Sequence, residues 1–347
     1  MTLAVRYISA RTLDTAPAET SAPGPGEVEL APAYVGICGT DLHIFHGDMD
    51  ARVSTPAVLG HEMSGRIVRV GPGVDGWAPG DAVTVMPLRW DDTCPACLKG
   101  HQHICQHLDF IGIDSPGAMQ QRWTVPASTL IRLPDTLPLD RAALVEPTAV
   151  AVHDVGRAAV TEGEHVVVVG GGPVGILIAL VARAAGADVR IAELSAYRRA
   201  LAEKSGLTAW DPAVDDVAEL VREWTTGAGA DVAFEVSGAA AGVDTAVDVL
   251  GVRGRLCLVA IHPRPREINL HRFFWRELTL VGARLYTRTD FEKAVTLVAD
   301  GTIPAERLIS KVVPLTEAPA AFQALEAGGD VMKILVDCTN NAQGAAI

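Results

Sequence analysis

Residues 166–193 read VVVVGGGPVGILIALVARAAGADVRIAE, and this stretch constrains the rest of the chain more than any other. Four consecutive valines form an apolar run of strand length. They lead into Gly170, Gly172 and Gly175, with the spacing G-x-G-x-x-G. An apolar, alanine-rich segment over 174–185 has helical composition, and a second strand over 189–192 ends on Glu193. Strand, glycine turn, helix, strand and acid in that order make a dinucleotide-binding unit. Gly170 permits the tight turn, Gly172 lets a pyrophosphate approach the backbone, and Gly175 lets the helix pack close to the strand. Pro173 and Val174 open the helix. Pro173 lacks an N–H that would go unpaired there, and the free N–H groups of the helix end face the phosphates. A carboxylate at Glu193 suits the adenosine ribose hydroxyls and repels a 2′-phosphate, so NAD is expected over NADP. Arg198 and Arg199, a turn further on, would either soften that preference at the cofactor or stand as solvated helix charges.

The 347 residues leave room for two domains. No apolar run approaches the length of about 20 residues that spans a bilayer. The N-terminal residues lack the apolar core of a signal peptide, so a cytoplasmic location is expected. A net charge of −13 excludes nucleic acid as an expected partner. Six cysteines in such a chain point to metal ligands or thiols rather than disulfides. Residues 1–145 are rich in Gly, Pro and Val and read as short strands and turns, with strands expected at 27–30, 65–70 and 82–85. Residues 146–285 alternate strands at 166–169, 189–192, 232–235 and 255–260 with helices at 174–185, 196–205, 214–225 and 242–249. That pattern implies a parallel sheet covered on both faces. Residues 286–347 carry helices at 289–300 and 318–327, a closing strand at 333–336, and a frayed tail at 340–347.

Three short constellations carry chemistry. They are VGICGTDLH over 35–43, GHEMSG over 60–65 and VEPTA over 145–149. Sulfur, nitrogen and oxygen donors in glycine-flanked turns suit tetrahedral Zn²⁺ with one position open. These motifs together identify the chain as resembling the zinc-dependent medium-chain dehydrogenase/reductase family, the group of alcohol, sorbitol and threonine dehydrogenases. The resemblance covers essentially the whole sequence. It implies an α/β fold in which a Rossmann doubly wound parallel sheet is inserted in a GroES-like β-rich catalytic domain, with the active site in the cleft between the two. It further implies a homo-oligomer, dimer or tetramer, acting on a small-molecule alcohol or ketone.

Position by position, the resemblance makes Cys38 the zinc thiolate, His61 the imidazole ligand and Glu62 the carboxylate that follows it in polyol dehydrogenases. Glu146 is a ligand directly or through water. Thr40 lies beside the substrate oxygen and His43 is an outer member of a proton relay. Asp41 would either orient a histidine or cap a helix, and His153 would pack near the cofactor without binding metal. Relatives with a structural zinc use C-x2-C-x2-C-x7-C. Here Cys94, Cys97 and Cys105 fill the last three places and Asp91 the first, so a site of one aspartate and three cysteines is expected, with Asp92, His101, His103 and His107 as alternates. Strand ends in the nucleotide half would bring Asp211, Ser237, Gly238, Val259, Ala260 and Ile261 to the cofactor. Arg284 is expected in a surface salt bridge. Phe273, Phe274 and Trp275 are expected in core packing, and Trp90, Phe110 and Trp123 along the cleft. Arg122 stands where relatives often carry an acid. The implied reaction is oxidation of a secondary alcohol, of a polyol or sugar alcohol, by NAD. Two other readings compete: an L-threonine 3-dehydrogenase or other secondary-alcohol dehydrogenase, and a non-catalytic NAD-binding relative.

Overall fold

The computed structural model describes residues 2–262 and 264–339, so the tail expected at 340–347 lies outside the described residues. The chain divides into two compact units, residues 1–146 with 287–299 and 309–347, and residues 147–286 with 300–308. Residues 286 and 300–308 thus group with the second unit, whereas the sequence reading takes 286–347 as the completion of the first.

The first unit is β-rich. Its main sheet has seven strands in the order Leu130–Arg132, Ala82–Val85, Glu62–Val70, Glu27–Gly36, Lys333–Asp337 and Ile309–Pro314, with Trp123–Pro126 also paired to Glu27–Gly36. Val28, Leu30, Val35, Met63, Val83, Val85 and Leu335 are buried along these strands. One stretch of register matters for function. Gly36 pairs with Glu62 on one side and with Leu335 on the other. A Cβ on Gly36 would lie 2.1 Å from Glu62 Oε2, so only glycine leaves room for that carboxylate to cross toward the closing strand. Just after this point the chain turns into a short helix, Gly39–His46, which the sequence reading did not place. Eight residues with little apolar periodicity give no helical signal; the capping described below marks its start instead.

The second unit is a six-stranded parallel sheet in the order Thr208–Trp210, Asp188–Ala192, His165–Val169, Ala230–Glu235, Leu250–Leu258 and Thr279–Gly282. This is the doubly wound order, with the glycine turn following the strand where the order reverses. Val166, Val167, Val168 and Val169 are all buried, as a strand covered on both faces requires. Val217, Val221, Ala246 and Val247 pack from helices onto Val167, Ala233 and Leu256. The helices Pro173–Ala184, Ala196–Lys204 and Ala240–Asp248 fall within two residues of their expected bounds. The helix expected from 214 begins at Val217, because the Asp216 side chain accepts the N–H of Glu219 and caps it there.

Two further features depart from the sequence reading. The sixth strand, Thr279–Gly282, was not foreseen; it has four residues and no buried one, so it carries no alternating signal. The aromatic run lies on the helix Leu270–Arg276. Phe273 packs on the sheet core, but Phe274 is 76% exposed and Trp275 67%, because successive helical residues point in different directions. Among the described residues no helix is long and apolar enough to cross a membrane.

Candidate metal centres and nucleotide loop

Cys38 sits at the N-cap of the helix Gly39–His46 in extended backbone. Asp41, three residues on, turns back so that its Oδ2 accepts the Cys38 N–H at 2.9 Å. Its other oxygen, Oδ1, lies 3.7 Å from His61 Nδ1. Asp41 therefore takes both roles left open by its sequence, capping the helix and facing the histidine. His61 enters from the turn before the strand Glu62–Val70, and its ring lies 5.0 Å from that of Phe110. With Nδ1 turned to Asp41, Nε2 is left for a metal, the usual arrangement of a ligating histidine backed by a carboxylate.

The ligand atoms of Cys38, His61 and Glu62 all lie within 4.8 Å of one another. His61 and Glu62 are buried, and His61 Nδ1 and Asp41 Oδ1 make no hydrogen bond. Burial alone would depress His61, but Asp41, Cys38 and Glu146 around it hold its pKa well above the ordinary imidazole value. Burial likewise holds Asp41 above its usual range. A pocket of one thiol, one imidazole and several carboxylates that favours a positive charge this strongly fits a zinc ion. Glu146, in the first turn of the helix Val145–Arg157, stands outside the three-ligand cluster but is buried and close enough to act on His61 electrostatically. Thr40 is half-buried on the Cys38 helix. The His43 side chain is 43% exposed, with Nδ1 3.2 Å from Asp48.

Sequence reasoning missed Lys333. Its Nζ donates to Glu62 Oε1 at 2.8 Å, to Oε2 at 2.7 Å and to the Ile37 carbonyl at 3.2 Å. Burial would lower this ammonium's pKa, but Glu62, the Cys38 sulfur and Glu146 together raise it above the ordinary lysine value. The only local signal was a lysine directly before the apolar run Ile334, Leu335 and Val336.

The second cluster joins Asp91, Cys94, Cys97 and Cys105, whose ligand atoms are likewise within 4.8 Å of one another. Asp91 Oδ1 accepts the N–H groups of Thr93 and Cys94, both at 2.9 Å, and Oδ2 lies 2.5 Å from His107 Nδ1. His107 pairs with Asp91 as a hydrogen-bond partner rather than as a member of the cluster, and Asp92, His101 and His103 are also outside the cluster. The sulfur of Cys94 accepts from the N–H groups of Gln106 and Cys97, which pull its pKa down to about 7. Burial beside the other two sulfurs pushes Cys97 up to about 12. Three crowded sulfurs cannot all ionise without a cation. Cys94 and Cys105 Sγ stand 3.8 Å apart, well beyond a disulfide bond of about 2.05 Å. Four ligands with no open position suit a structural ion.

In the second unit Gly170 has φ +106°, and a Cβ on Gly175 would lie 1.9 Å from the Gly170 carbonyl oxygen, so this turn requires both glycines. Gly172 caps the helix Pro173–Ala184. Glu193 is 8% exposed and its carboxylate is fixed by backbone, accepting from Gly171 N–H at 2.6 Å and Ser195 N–H at 2.7 Å. Neither arginine is a freely solvated helix charge. Arg198 Nη1 is 3.9 Å from Glu193 Oε2, and Arg199 binds the carbonyls of Glu193 and Leu194 and the Asp211 carboxylate. Fully buried Glu235, also missed from sequence, braces the next strand ends. It accepts from Ser237 N–H and Oγ–H and Gly238 N–H, lies 2.9 Å from His262 Nε2, and its carbonyl takes the N–H groups of Val259 and Ala260. Ile261 is exposed, and buried His153 is a member of neither metal cluster.

Other candidates are placed as follows. Arg122 Nε is 4.0 Å from Glu29, which also binds Arg69. Trp123 donates to the Pro116 carbonyl, Trp90 packs on the cysteine cluster, and Arg284 is exposed. Of the three aromatics expected along the substrate site, Phe110 is the one against His61.

Comparison with known proteins accounts for this combination. Residues 24–135 match the alcohol dehydrogenase GroES-like domain, and residues 173–300 the zinc-binding dehydrogenase domain. The chain is 46% identical over 335 residues to a 2-dehydro-3-deoxy-L-galactonate 5-dehydrogenase of Pseudoalteromonas atlantica, covering 96% of this chain and 98% of that protein. It is 32% identical over 322 residues to a sorbitol dehydrogenase of Halalkalibacterium halodurans, covering 90% and 92%. The crystal structure of a zinc-binding dehydrogenase from Sinorhizobium meliloti bound to NADP superposes with a TM-score of 0.92 at 33% identity, covering 97% and 99%. The chain belongs to the zinc-dependent medium-chain dehydrogenase/reductase family and is an alcohol-type oxidoreductase that uses zinc and a nicotinamide cofactor.

Proposed function

We infer that this protein oxidises one secondary hydroxyl of a polyhydroxylated substrate to a ketone, with NAD⁺ as the acceptor. The observation that carries this reading is the convergence of Cys38, His61 and Glu62 on one point beside buried Asp41 and Glu146. Zinc bound there would act as a Lewis acid and lower the pKa of the substrate hydroxyl. Cys38 and His61 would hold the ion, with Glu62 and Glu146 as the carboxylate donors, and Asp41 would fix the His61 ring. Thr40 would accept the hydroxyl proton while releasing its own toward the nicotinamide ribose, and half-exposed His43, paired with Asp48, would pass a proton on to solvent. A nicotinamide cofactor would supply the hydride acceptor. Gly170, Gly172, Pro173, Val174 and Gly175 would cradle its pyrophosphate, Glu193 and Arg198 would flank the adenosine ribose, and Ser237, Val259 and Ala260 would present the backbone braced by Glu235. The second cluster, Asp91, Cys94, Cys97 and Cys105, holds a structural zinc.

Two arguments narrow the substrate and cofactor. The similarity to a 2-dehydro-3-deoxy-L-galactonate 5-dehydrogenase at 46% identity supports testing sugar acids first among polyhydroxylated substrates, ahead of sugar alcohols and simple diols. The Glu193 carboxylate, locked by two backbone N–H groups, cannot swing away from a 2′-phosphate and would repel it. A dimer or tetramer in the cytoplasm belongs to the same reading, and the exposed Leu270, Phe274, Trp275 and Leu280 support association between copies. The test follows reduced-nicotinamide absorbance on zinc-loaded protein with aldonic acids, sugar alcohols, vicinal diols and L-threonine. Turnover of a polyhydroxylated substrate is expected, with kcat/KM at least about tenfold higher for NAD⁺ than for NADP⁺, about 1.4 kcal/mol of discrimination. Preference for NADP⁺ would refute the Glu193 argument, and turnover of L-threonine alone would refute the substrate class.

A further inference from the structure

The second unit carries a cavity of about 460 Å³ beside the ends of its sheet. Val243 of the helix Ala240–Asp248, Leu258 at the end of its strand and Ile268 give it apolar surface, and His262, Arg264 and Arg266 give it a polar edge. Gly170, Glu193, Ser237, Val259 and Ala260, proposed above to hold the cofactor, do not line it. Small-molecule sites have volumes of roughly 300–1,000 Å³ and combine an apolar lining with a few polar groups. This cavity has that size and that division.

Its charge is unbalanced. Acids outnumber bases in the chain, 42 to 29, yet among the described residues neither Arg264 nor Arg266 forms an ion pair. Glu235 is engaged by Ser237, Gly238 and His262, and Glu267 does not line the cavity. Arg264 is exposed. Arg266 is half-buried and has neutral acceptors, with Nε 3.3 Å from His262 Nδ1 and Nη2 3.3 Å from the Gly238 carbonyl oxygen. Because Nδ1 accepts here, His262 is neutral and donates from Nε2 to Glu235 at 2.9 Å. The positive charge of the cavity is therefore that of the two arginines. Charge-assisted hydrogen bonds are shorter, about 2.7–2.9 Å, and roughly twice as strong as neutral ones. A carboxylate or phosphate in the cavity draws Arg266 away from both of its neutral partners.

Those partners lead to the cofactor backbone. Glu235 holds the Ser237 and Gly238 N–H groups through its carboxylate and those of Val259 and Ala260 through its carbonyl. Arg266 ties this brace together from outside, through His262 to Glu235 and directly to Gly238. We propose that the cavity binds a small molecule that joins a carboxylate or phosphate to an apolar body, and that its occupancy loosens the brace and weakens cofactor binding. The coupling rests on the cofactor reading above, whereas the site itself does not. By reciprocity the cofactor weakens binding of the anion by the same factor.

The test is calorimetric titration of the full-length Cys38→Ser protein, so that anions bound by a metal at that centre do not enter. The probes are phenylacetate and phenyl phosphate, which carry the two anionic groups on one apolar ring, with benzyl alcohol and inorganic phosphate as the separate halves. At least one anion is expected to bind about tenfold or more tightly than either half, and the tighter of the two identifies the charged group. Adding Arg264→Gln at this exposed residue is expected to weaken that binding about tenfold or more, while the Kd for NAD⁺ alone stays within about twofold. The saturating probe is expected to raise the Kd for NAD⁺ about fivefold or more when Arg264 is present. Arg266→Gln is expected to raise it without any probe, because that change opens the brace. Absence of binding by both anions, equal binding of a separate half, or binding indifferent to Arg264→Gln overturns the site. A probe effect on NAD⁺ that ignores Arg264 is direct competition in the cofactor site and overturns the coupling, as does Arg264-dependent binding that leaves NAD⁺ untouched. A protein that binds no NAD⁺ contradicts the cofactor reading instead, and Arg264-dependent anion binding would then still establish the site.

Discussion

Replacing Cys38 with serine is expected to lower kcat by about a thousandfold or more while leaving nicotinamide binding within about twofold. The magnitude follows from the Lewis-acid contribution of a bound metal, several kcal/mol, at about 1.4 kcal/mol per tenfold in rate. A neutral serine hydroxyl is a poor substitute for a thiolate on zinc, which favours soft sulfur donors. The fold gives no reason for a structural collapse. Cys38 occupies a helix N-cap, a position serine favours, and the Asp41 contact uses the backbone N–H, which serine retains. Steady-state kinetics and calorimetric titration with NAD⁺ check the two halves separately. The residues proposed to bind the nucleotide, from Gly170 to Ala260, belong to the second compact unit, and Cys38 to the first. Undiminished activity would contradict the assignment of Cys38.

The second large effect is on stability. Cys97→Ser is expected to lower the thermal midpoint by about 10 °C or more, because a structural zinc contributes folding free energy outright and loss of several kcal/mol moves a domain of this size by that order. The buried residues at the centre of this lobe are the three cysteines themselves, with only partly buried Trp90, Ala96 and Leu108 packed around them. So small a set of apolar groups cannot replace a four-ligand ion, and the sulfurs become crowded and partly ionised once it leaves. A chelator is therefore expected to lower the wild-type midpoint toward that of the variant and to change the variant little. Equal midpoints for both proteins, indifferent to chelator, would mean the lobe is held by packing.

Much of this organisation was legible in the residues because it is local. The glycine turn, its flanking strand and helix, and Glu193 lie within one stretch, and their geometry follows from steric demands that only glycine meets. The Asp91, Cys94, Cys97 and Cys105 spacing is likewise short enough for one lobe to satisfy. Cys38, His61 and Glu62 were nominated by type and by resemblance, and antiparallel pairing of Glu27–Gly36 with Glu62–Val70 brings them together. What sequence did not show depends on distant partners. Lys333 meets Glu62 across 271 positions, through a strand whose other residues say only that it is buried. Glu235 ends an ordinary apolar strand, and its bracing role appears only once the neighbouring strand end and His262 are placed beside it. The strand Thr279–Gly282 owes its existence to pairing with Leu250–Leu258 rather than to its own pattern. Phe274 and Trp275 show the converse error, in which composition suggests a core that helical geometry turns outward.

Elemental analysis of the purified protein beside its Cys38→Ser and Cys97→Ser variants tests whether Cys38, His61 and Glu62 hold a catalytic zinc separate from the one proposed for the cysteine lobe. Two zinc ions per wild-type chain and the loss of one in each variant are expected, with activity following the ion at Cys38. A wild-type protein without zinc, or one whose zinc content is untouched by Cys38→Ser, would contradict this assignment.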